Sequence, residues 1–140
     1  MDYRLFGDTY VVRMDRGEEV IASLTALCEK EKIELACVDA LGAADHAVLC
    51  LYDVDSKSFS RHTFDEPLEI SSLTGNVTRK DGAVYLHIHA TVCDTDLIAH
   101  GGHVNEIRLS ATCEMFVRRL DGHVGRKFDD EIGLNLFSFK

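Results

Sequence analysis

The fold is decided by the stretch AVYLHIHATVC, residues 83–93, in which apolar and polar side chains alternate. Successive side chains of a β-strand point to opposite faces, so alternation indicates a strand with one buried face. The buried face would carry the apolar series of this stretch: Val84, Leu86, Ile88, Ala90 and Val92. The other face is free to present polar side chains.

The sequence on the N-terminal side of this strand predicts one main helix, at about residues 17–31. Asp15 is the predicted N-cap, and Glu18 three residues later completes a pair that resembles a capping box. Apolar residues at helical spacing give this segment one face for the core: Val20, Ile21, Leu24, Leu27 and Cys28.

Most of the remaining chain has the pattern of strands. Strands are predicted at residues 9–14, 33–41, 47–54, 58–64, 68–77, 83–93, 112–120 and 132–139, with a turn at 79–82. One helix followed by strands at hairpin spacing predicts an α+β fold, with a largely antiparallel or mixed sheet of about seven to eight strands packed with that helix. Residues 1–140 are expected to form a single domain, since the sequence shows no linker or repeat.

The net charge of −9 bears on possible partners. Phosphate backbones attract proteins that present Lys and Arg, so direct nucleic-acid binding is not expected. No apolar run approaches the roughly 20 residues of a membrane span, and no secretory signal is visible at the N-terminus. The cytoplasm is therefore the expected compartment. The five cysteines are odd in number and include no C-x-x-C pair, which favours reduced thiols packed as small hydrophobes.

Two histidines are the most suggestive polar residues of the 83–93 strand. His87 and His89 share its polar face, about 6–7 Å apart along the strand. His103 follows the pair Gly101-Gly102, which would permit a reversal that returns it to the same site. Three imidazoles with an open fourth position resemble an exchangeable or catalytic zinc site, although copper, iron and nickel also accept imidazole. The alternative is that these histidines only hydrogen-bond within a sheet.

Other polar residues have no such partnership in the sequence. The predicted turn residues Asp94 and Asp96 follow the strand. The remaining histidines and the late basic pairs are expected at the surface or in loops: His46, His62, His100, His123, Arg118-Arg119 and Arg126-Lys127.

Five short blocks, taken in order, resemble the motifs of the plants-and-prokaryotes conserved (PPC) domain family. They are Arg16-Gly17-Glu18-Glu19-Val20, Gly42-Ala43, Glu69-Ile70-Ser71-Ser72-Leu73-Thr74-Gly75-Asn76-Val77, His87-Ile88-His89 and Gly101-Gly102-His103-Val104. Each block is weak alone, but their common order is specific. The resemblance implies a sheet-rich α+β domain that forms a homotrimer with subunits packed through their sheets.

The resemblance also implies which residues carry function. His87, His89 and His103 match the histidines of the family, so a divalent metal, zinc foremost, is the expected cofactor. The matched positions Glu69, Asn76, Gly101 and Gly102 are candidate pocket or interface residues. Glu106 departs from the family pattern, which often has a small residue there. It is a candidate hydrogen-bonding partner of the histidines or general base, and the alternative is a solvated strand residue.

Family members in bacteria and archaea are often considered candidate DNA-binding proteins. In land plants the domain follows an AT-hook, and the hook binds DNA while the domain mediates self-association and partner binding. An AT-hook needs an Arg-Gly-Arg-Pro core, and Pro67 is the only proline of this sequence. The sequence therefore favours a trimeric binding or scaffold module with a possible protein partner. A metal-dependent enzyme that activates water at the three histidines ranks second, and direct DNA binding ranks third.

Overall fold

Strands account for most of the computed structural model, which describes residues 1–139. In chain order the elements are β1 (Asp2–Phe6), β2 (Thr9–Met14), α1 (Val20–Lys30), β3 (Ala36–Asp53), β4 (Ser58–Phe64), β5 (Leu68–Lys80), β6 (Ala83–Cys93), β7 (Ala99–Arg119), β8 (Gly125–Asp129) and β9 (Leu134–Ser138). Seven strands form an antiparallel sheet in the order β1-β2-β7-β6-β5-β3-β4, and β8 pairs with β9 in a separate hairpin. The predicted α+β class with one helix is confirmed.

The large sheet closes on itself through its longest strand. The N-terminal end of β7 pairs with β6, and most of its length pairs with β3. Since β3 also pairs with β5, and β5 with β6, these four strands form a ring around a shared interior. Ile88, Ala90 and Val92 of β6 point into that interior and are buried, as the alternation predicted. The polar face of β6 is consequently on the outside of the ring.

The helix begins three residues later than predicted and has a different N-cap. Gly17 has a φ of 85°, a left-handed conformation that the interior of a helix cannot accommodate. The N-cap is Glu19, whose carboxylate accepts hydrogen bonds from the backbone N–H groups of Ile21 and Ala22. The prediction of Asp15 as N-cap was therefore wrong, although its N–H does donate to the carboxylate of Glu18 at 2.6 Å.

Several strand boundaries also differ from the predictions. The predicted strands 33–41 and 47–54 are parts of one strand, β3, which continues through Gly42 with shifts in register. A Cβ at Gly42 would lie 2.8 Å from the Cα of Cys113, so this glycine permits a close strand approach and does not end the strand. The strand predicted at 112–120 begins much earlier, at Ala99. Strands β1 and β8 were not predicted.

Two smaller expectations concern the turn before β6 and the cysteines. Asp81 and Gly82 both have positive φ, 52° and 83°, as the tight turn of a hairpin requires. All five cysteines are free thiols, and burial raises the pKa of Cys28 to about 12. Within residues 1–139 no helix has the length and apolar character needed to cross a membrane.

Candidate metal centre

Pairing of β6 with β7 brings three imidazoles together on the outside of the ring. His89 is the direct cross-strand partner of His103, and His87 lies two residues before His89 on the same face. The Nε2 atoms of His87 and His89 are 3.2 Å apart. One nitrogen from each of the three rings lies within 4.8 Å of the others. We call this group the histidine trio.

The reversal that brings His103 back was predicted at Gly101 and Gly102, and this prediction was wrong. The reversal lies at residues 94–98, where a carboxylate oxygen of Asp94 accepts from the N–H groups of Asp96 and Ile98. Gly101 and Gly102 are extended within β7. A Cβ at Gly102 would lie 2.8 Å from the carbonyl oxygen of Cys50. Gly102 therefore permits β3 to approach β7 next to His103.

The surroundings of His87 and His103 favour neutral imidazoles. Partial burial lowers the pKa of His87, and the nearby His89 and Arg126 lower it further. Burial also lowers the pKa of His103, with smaller contributions from His87 and His89. A neutral imidazole is the form that binds a metal ion, because protonation occupies the ligating nitrogen.

The trio forms part of one wall of an open cleft of about 930 Å³ between the ring and the hairpin β8–β9. We call β6 and the start of β7, with the trio, the histidine wall, and residues 125–138 the C-terminal hairpin. The lining residues are Cys50, Leu51, Tyr52, Phe59, Tyr85, His87, His89, Gly101, Gly102, His103, Arg126, Phe128, Gly133, Leu134, Asn135, Leu136 and Phe137. This lining is mostly apolar and aromatic, with the imidazoles and one guanidinium as its charged or chargeable groups.

Arg126 connects the C-terminal hairpin to the histidine wall. Its guanidinium lies 4.7 Å from the ring centroid of Tyr85 on β6 and 4.3 Å from that of Phe137 on β9. It donates to the side-chain oxygens of Asn76 and Thr78 on β5, at 2.6 and 3.0 Å. The expectation that Arg126 is an ordinary surface residue was wrong, because contacts from three other strands, β5, β6 and β9, hold its side chain in the cleft.

The candidate pocket residues divide into two groups. Gly101 and Gly102 line the cleft directly, and Asn76 reaches it through its hydrogen bond to Arg126. Glu69 does not line the cleft, since it pairs with Cys93, four residues along β6 from His89. Its role at an interface remains a prediction.

Glu106 also lies away from the histidine trio. Its carboxylate is 3.7 Å from Nε2 of His46, whose Nδ1 contacts the carboxylate of Asp65 at 2.5 Å. His46, which was expected at the surface or in a loop, therefore lies half-buried in strand β3 beside two carboxylates. His100 likewise lies in β7 and contacts the carboxylate of Asp94 at 2.9 Å.

The fold and the site define a class of small β-rich domains with a histidine cluster on the outside of a closed sheet. The model of the Plants and Prokaryotes Conserved (PCC) domain matches residues 1–121, and the chain belongs to this family, as its motifs predicted. The C-terminal hairpin lies outside the matched residues. No curated protein matches the chain in a sequence comparison.

Solved structures share the fold over nearly the whole chain. A candidate DNA-binding protein from Bacteroides thetaiotaomicron is 30% identical with a TM-score of 0.96, covering 99% of this chain and 96% of that one. A metal-containing protein from Archaeoglobus fulgidus is 33% identical with a TM-score of 0.89, covering 98% and 96%. A plant- and prokaryote-conserved protein from Pyrococcus horikoshii is 30% identical with a TM-score of 0.89, covering 98% and 94%.

Proposed function

We propose that the protein is a binding module of the PPC family that holds a divalent metal ion, zinc foremost, at His87, His89 and His103. The observation that carries this proposal is the convergence of one nitrogen from each ring to within 4.8 Å, at the wall of an open cleft. Two stretches of chain, β6 and β7, must pair in one register to bring the three rings together, since His89 lies directly opposite His103.

The donor set fits the proposed metal. Zinc accepts three imidazoles and retains a position for water or a ligand, and the lowered pKa values of His87 and His103 leave their nitrogens available near neutral pH. The similar protein from Archaeoglobus fulgidus is a metal-containing protein, which supports the same property here. A metal bound in this way would act as a Lewis acid toward a ligand in the cleft.

Elemental analysis tests the proposal. The protein would be purified without a His-tag, and its zinc, copper, iron and nickel contents would be measured beside those of His89→Ala and His62→Ala. His62 is an exposed residue of β4 that does not line the cleft, so its variant is the matched control. We expect near-stoichiometric metal in the parent and in His62→Ala. In His89→Ala we expect the metal affinity to fall by more than ~10–100-fold, the loss typical when a residue that only hydrogen-bonds to a metal ligand is removed.

Equal metal content in the parent and in His89→Ala would contradict the proposal. So would a parent protein that takes up no metal even when zinc is added in excess.

The metal-dependent enzyme is the second candidate, and the composition of the cleft ranks it lower. Hydrolytic metal sites commonly use a carboxylate as general base. Among the described residues none of those that line the cleft is Asp or Glu, and Glu106 contacts His46 instead. A module that binds a ligand at the metal accounts for these features without a base.

Direct DNA binding is the third candidate. The similar protein from Bacteroides thetaiotaomicron is considered a candidate DNA-binding protein, and this similarity is the observation that favours DNA binding here. The net charge of −9 opposes attraction to a polyanion.

We also propose that the protein forms a homotrimer through the outer face of its sheet. Three large apolar side chains are exposed there on neighbouring strands: Val11 on β2, Phe116 on β7 and Leu41 on β3. Val11 and Phe116 are direct cross-strand partners, so they form a continuous apolar surface of the kind that marks an interaction site.

Native mass spectrometry at low micromolar concentration tests the trimer. We expect Phe116→Glu to shift the protein towards monomer, and Leu97→Glu, in the turn between β6 and β7, to leave the trimer intact. A monomeric parent protein would contradict this part of the proposal.

A further inference from the structure

We propose that the cleft binds a small organic acid with an apolar body, and that Arg126 takes its carboxylate. This inference rests on the proposed function in that it names the ligand class of the same cleft. The wall opposite the histidine trio carries a guanidinium with free N–H donors amid apolar side chains.

The positive charge of Arg126 has no counter-ion among the described residues that line the cleft. Within residues 1–139 no carboxylate forms an ion pair with it, and its hydrogen-bond partners are the neutral oxygens of Asn76, Thr78 and Asn135. Arg126 is half-buried, and this burial lowers its pKa because it partly desolvates the positive charge. A desolvated charge without a counter-ion is costly, and an anion entering the cleft would offset that cost.

Arg126 has more N–H donors than its protein partners use. A guanidinium carries five, and three of them are used in the bonds to Asn76, Thr78 and Asn135. Two donors remain on a group whose plane is fixed by Tyr85 on one strand and Phe137 on another. A preorganised guanidinium with two free donors suits the two oxygens of a carboxylate.

The surface around Arg126 is mostly apolar. The cleft presents Leu51 from β3, Phe59 from β4, and Phe128, Leu134 and Leu136 from the C-terminal hairpin. Such a lining favours a ligand with an apolar body, while a few polar groups fix its orientation. Inorganic phosphate could use the two donors but would gain nothing from the apolar lining.

The position of Arg126 relative to the trio limits the size of the ligand. Tyr85, which lies against the guanidinium, and His87 are alternate residues on one face of β6, about 6–7 Å apart. An acid of a few carbon atoms is long enough to span this separation.

Calorimetric titration tests the inference with phenylacetate as the probe. Phenylacetamide is its uncharged analogue, and inorganic phosphate is an anion without an apolar body. Each is titrated into the full chain with EDTA present and again after zinc loading. We expect phenylacetate to bind about 10–100-fold more tightly than phenylacetamide, the size expected for hydrogen bonds to a charged group, and more tightly than phosphate.

Variants assign the effect to Arg126. We expect Arg126→Gln to weaken phenylacetate binding by about 10–100-fold and to leave phenylacetamide binding unchanged. Arg16→Gln, at an exposed loop position, is the matched control and should bind as the parent does. Arg126→Lys keeps the charge without the planar fork and should fall between the parent and Arg126→Gln. It also serves if Arg126→Gln proves unfolded by circular dichroism.

The outcomes separate this inference from the proposed function. Binding of phenylacetate with EDTA present, in a protein that takes up no zinc, would support the inference and contradict the metal proposal. Zinc uptake without a preference for phenylacetate over phenylacetamide would overturn the inference alone. Phosphate binding as tight as phenylacetate binding would overturn the inference that the ligand has an apolar body. Unchanged phenylacetate affinity in both Arg126 variants would overturn the inference that Arg126 binds the carboxylate.

Discussion

The two walls of the cleft are built in different ways. The histidine wall belongs to the closed sheet, where β6 is paired on one side with β5 and on the other with β7. The C-terminal hairpin has only its own two strands and is attached to the rest of the molecule by side chains: Tyr52 donates to the carbonyl oxygen of Ile132, Lys57 to that of Asp130, and Arg126 to Asn76 and Thr78. The first wall is fixed by backbone pairing and the second by a few polar contacts.

The difference extends to burial and to the family match. Ile88 and Val92, behind the histidine wall, are almost completely buried, whereas Phe128 and Phe137 of the C-terminal hairpin are 53% and 46% exposed. The family match ends at residue 121, before the hairpin begins. The imidazoles thus lie on the part of the molecule that the family match covers and that backbone pairing fixes. The guanidinium and part of the apolar lining come from the hairpin beyond it.

The largest expected effect on stability comes from a substitution that forces β5 away from β6, the strand of the histidine wall. A Cβ at Gly75 would lie 2.9 Å from the Cα of Ile88 and closer still to the carbonyl oxygen of His87. We expect Gly75→Ala to lower the free energy of unfolding by about 2–3 kcal/mol, because the β5–β6 pair must separate to admit the methyl group. Urea unfolding with EDTA present measures this change.

Gly101→Ala is the matched control for that substitution. A Cβ there would meet the carbonyl oxygen of Ala90 and the hydroxyl of Thr91 at 3.5 Å, an ordinary contact. We expect little change in stability, and equal losses in the two variants would refute the account of a close approach at Gly75.

A smaller effect is expected from loosening the C-terminal hairpin. Tyr52→Phe removes the hydroxyl that donates to Ile132 at 2.8 Å and should weaken the hairpin's attachment by about 0.5–1.5 kcal/mol. Hydrogen exchange should become faster at the amides of residues 125–138 and stay unchanged in β6. Faster exchange in both regions would show that the two walls are not independent.

The smallest expected effect is the dependence of stability on pH. The pKa values of His87 and His103 are lowered on folding, so below about pH 6.5 the unfolded chain binds more protons than the folded one. The free energy of unfolding of the metal-free protein should therefore fall as the pH decreases from about 6.5 towards 5. Carboxylates whose pKa is lowered, such as Asp94, add to the loss only at more acidic pH.

Urea unfolding at a series of pH values checks this expectation. His103→Asn should flatten the dependence between about pH 6.5 and 5, whereas His62→Asn should keep it. A flat profile in the parent protein would contradict the direction given for the two pKa values.

The two walls also differ in how much of each could be predicted from the sequence. The alternation of Ile88, Ala90 and Val92 was sufficient to orient His87 and His89, because the period of a strand depends only on local residues. The return of His103 was expected, but the reversal was assigned to Gly101-Gly102. It lies at residues 94–98 instead, and Gly102 is required by the close approach of the Cys50 backbone, a contact distant in the chain.

Arg126 could not be identified as a cleft residue for a similar reason. The segment around it, Gly125–Asp129, has no alternating pattern, and the partners of its guanidinium lie on β5, β6 and β9. Tyr85 and Asn76 precede it by more than forty residues. Strand β8 pairs only with β9, so its sequence lacks the buried face that would have marked it as a strand.

The direct pairing of His89 with His103 also has a consequence for folding kinetics. These residues are fourteen apart in the chain, whereas Ala36 and Arg119, paired across β3 and β7, are 83 apart. Closing the shorter loop loses less chain entropy, by about 1.6 kcal/mol from the logarithmic dependence on length. The nitrogens of the histidine trio can therefore meet in a local hairpin before the ring closes. The metal ion proposed above, if present during synthesis, would stabilise that hairpin early in folding.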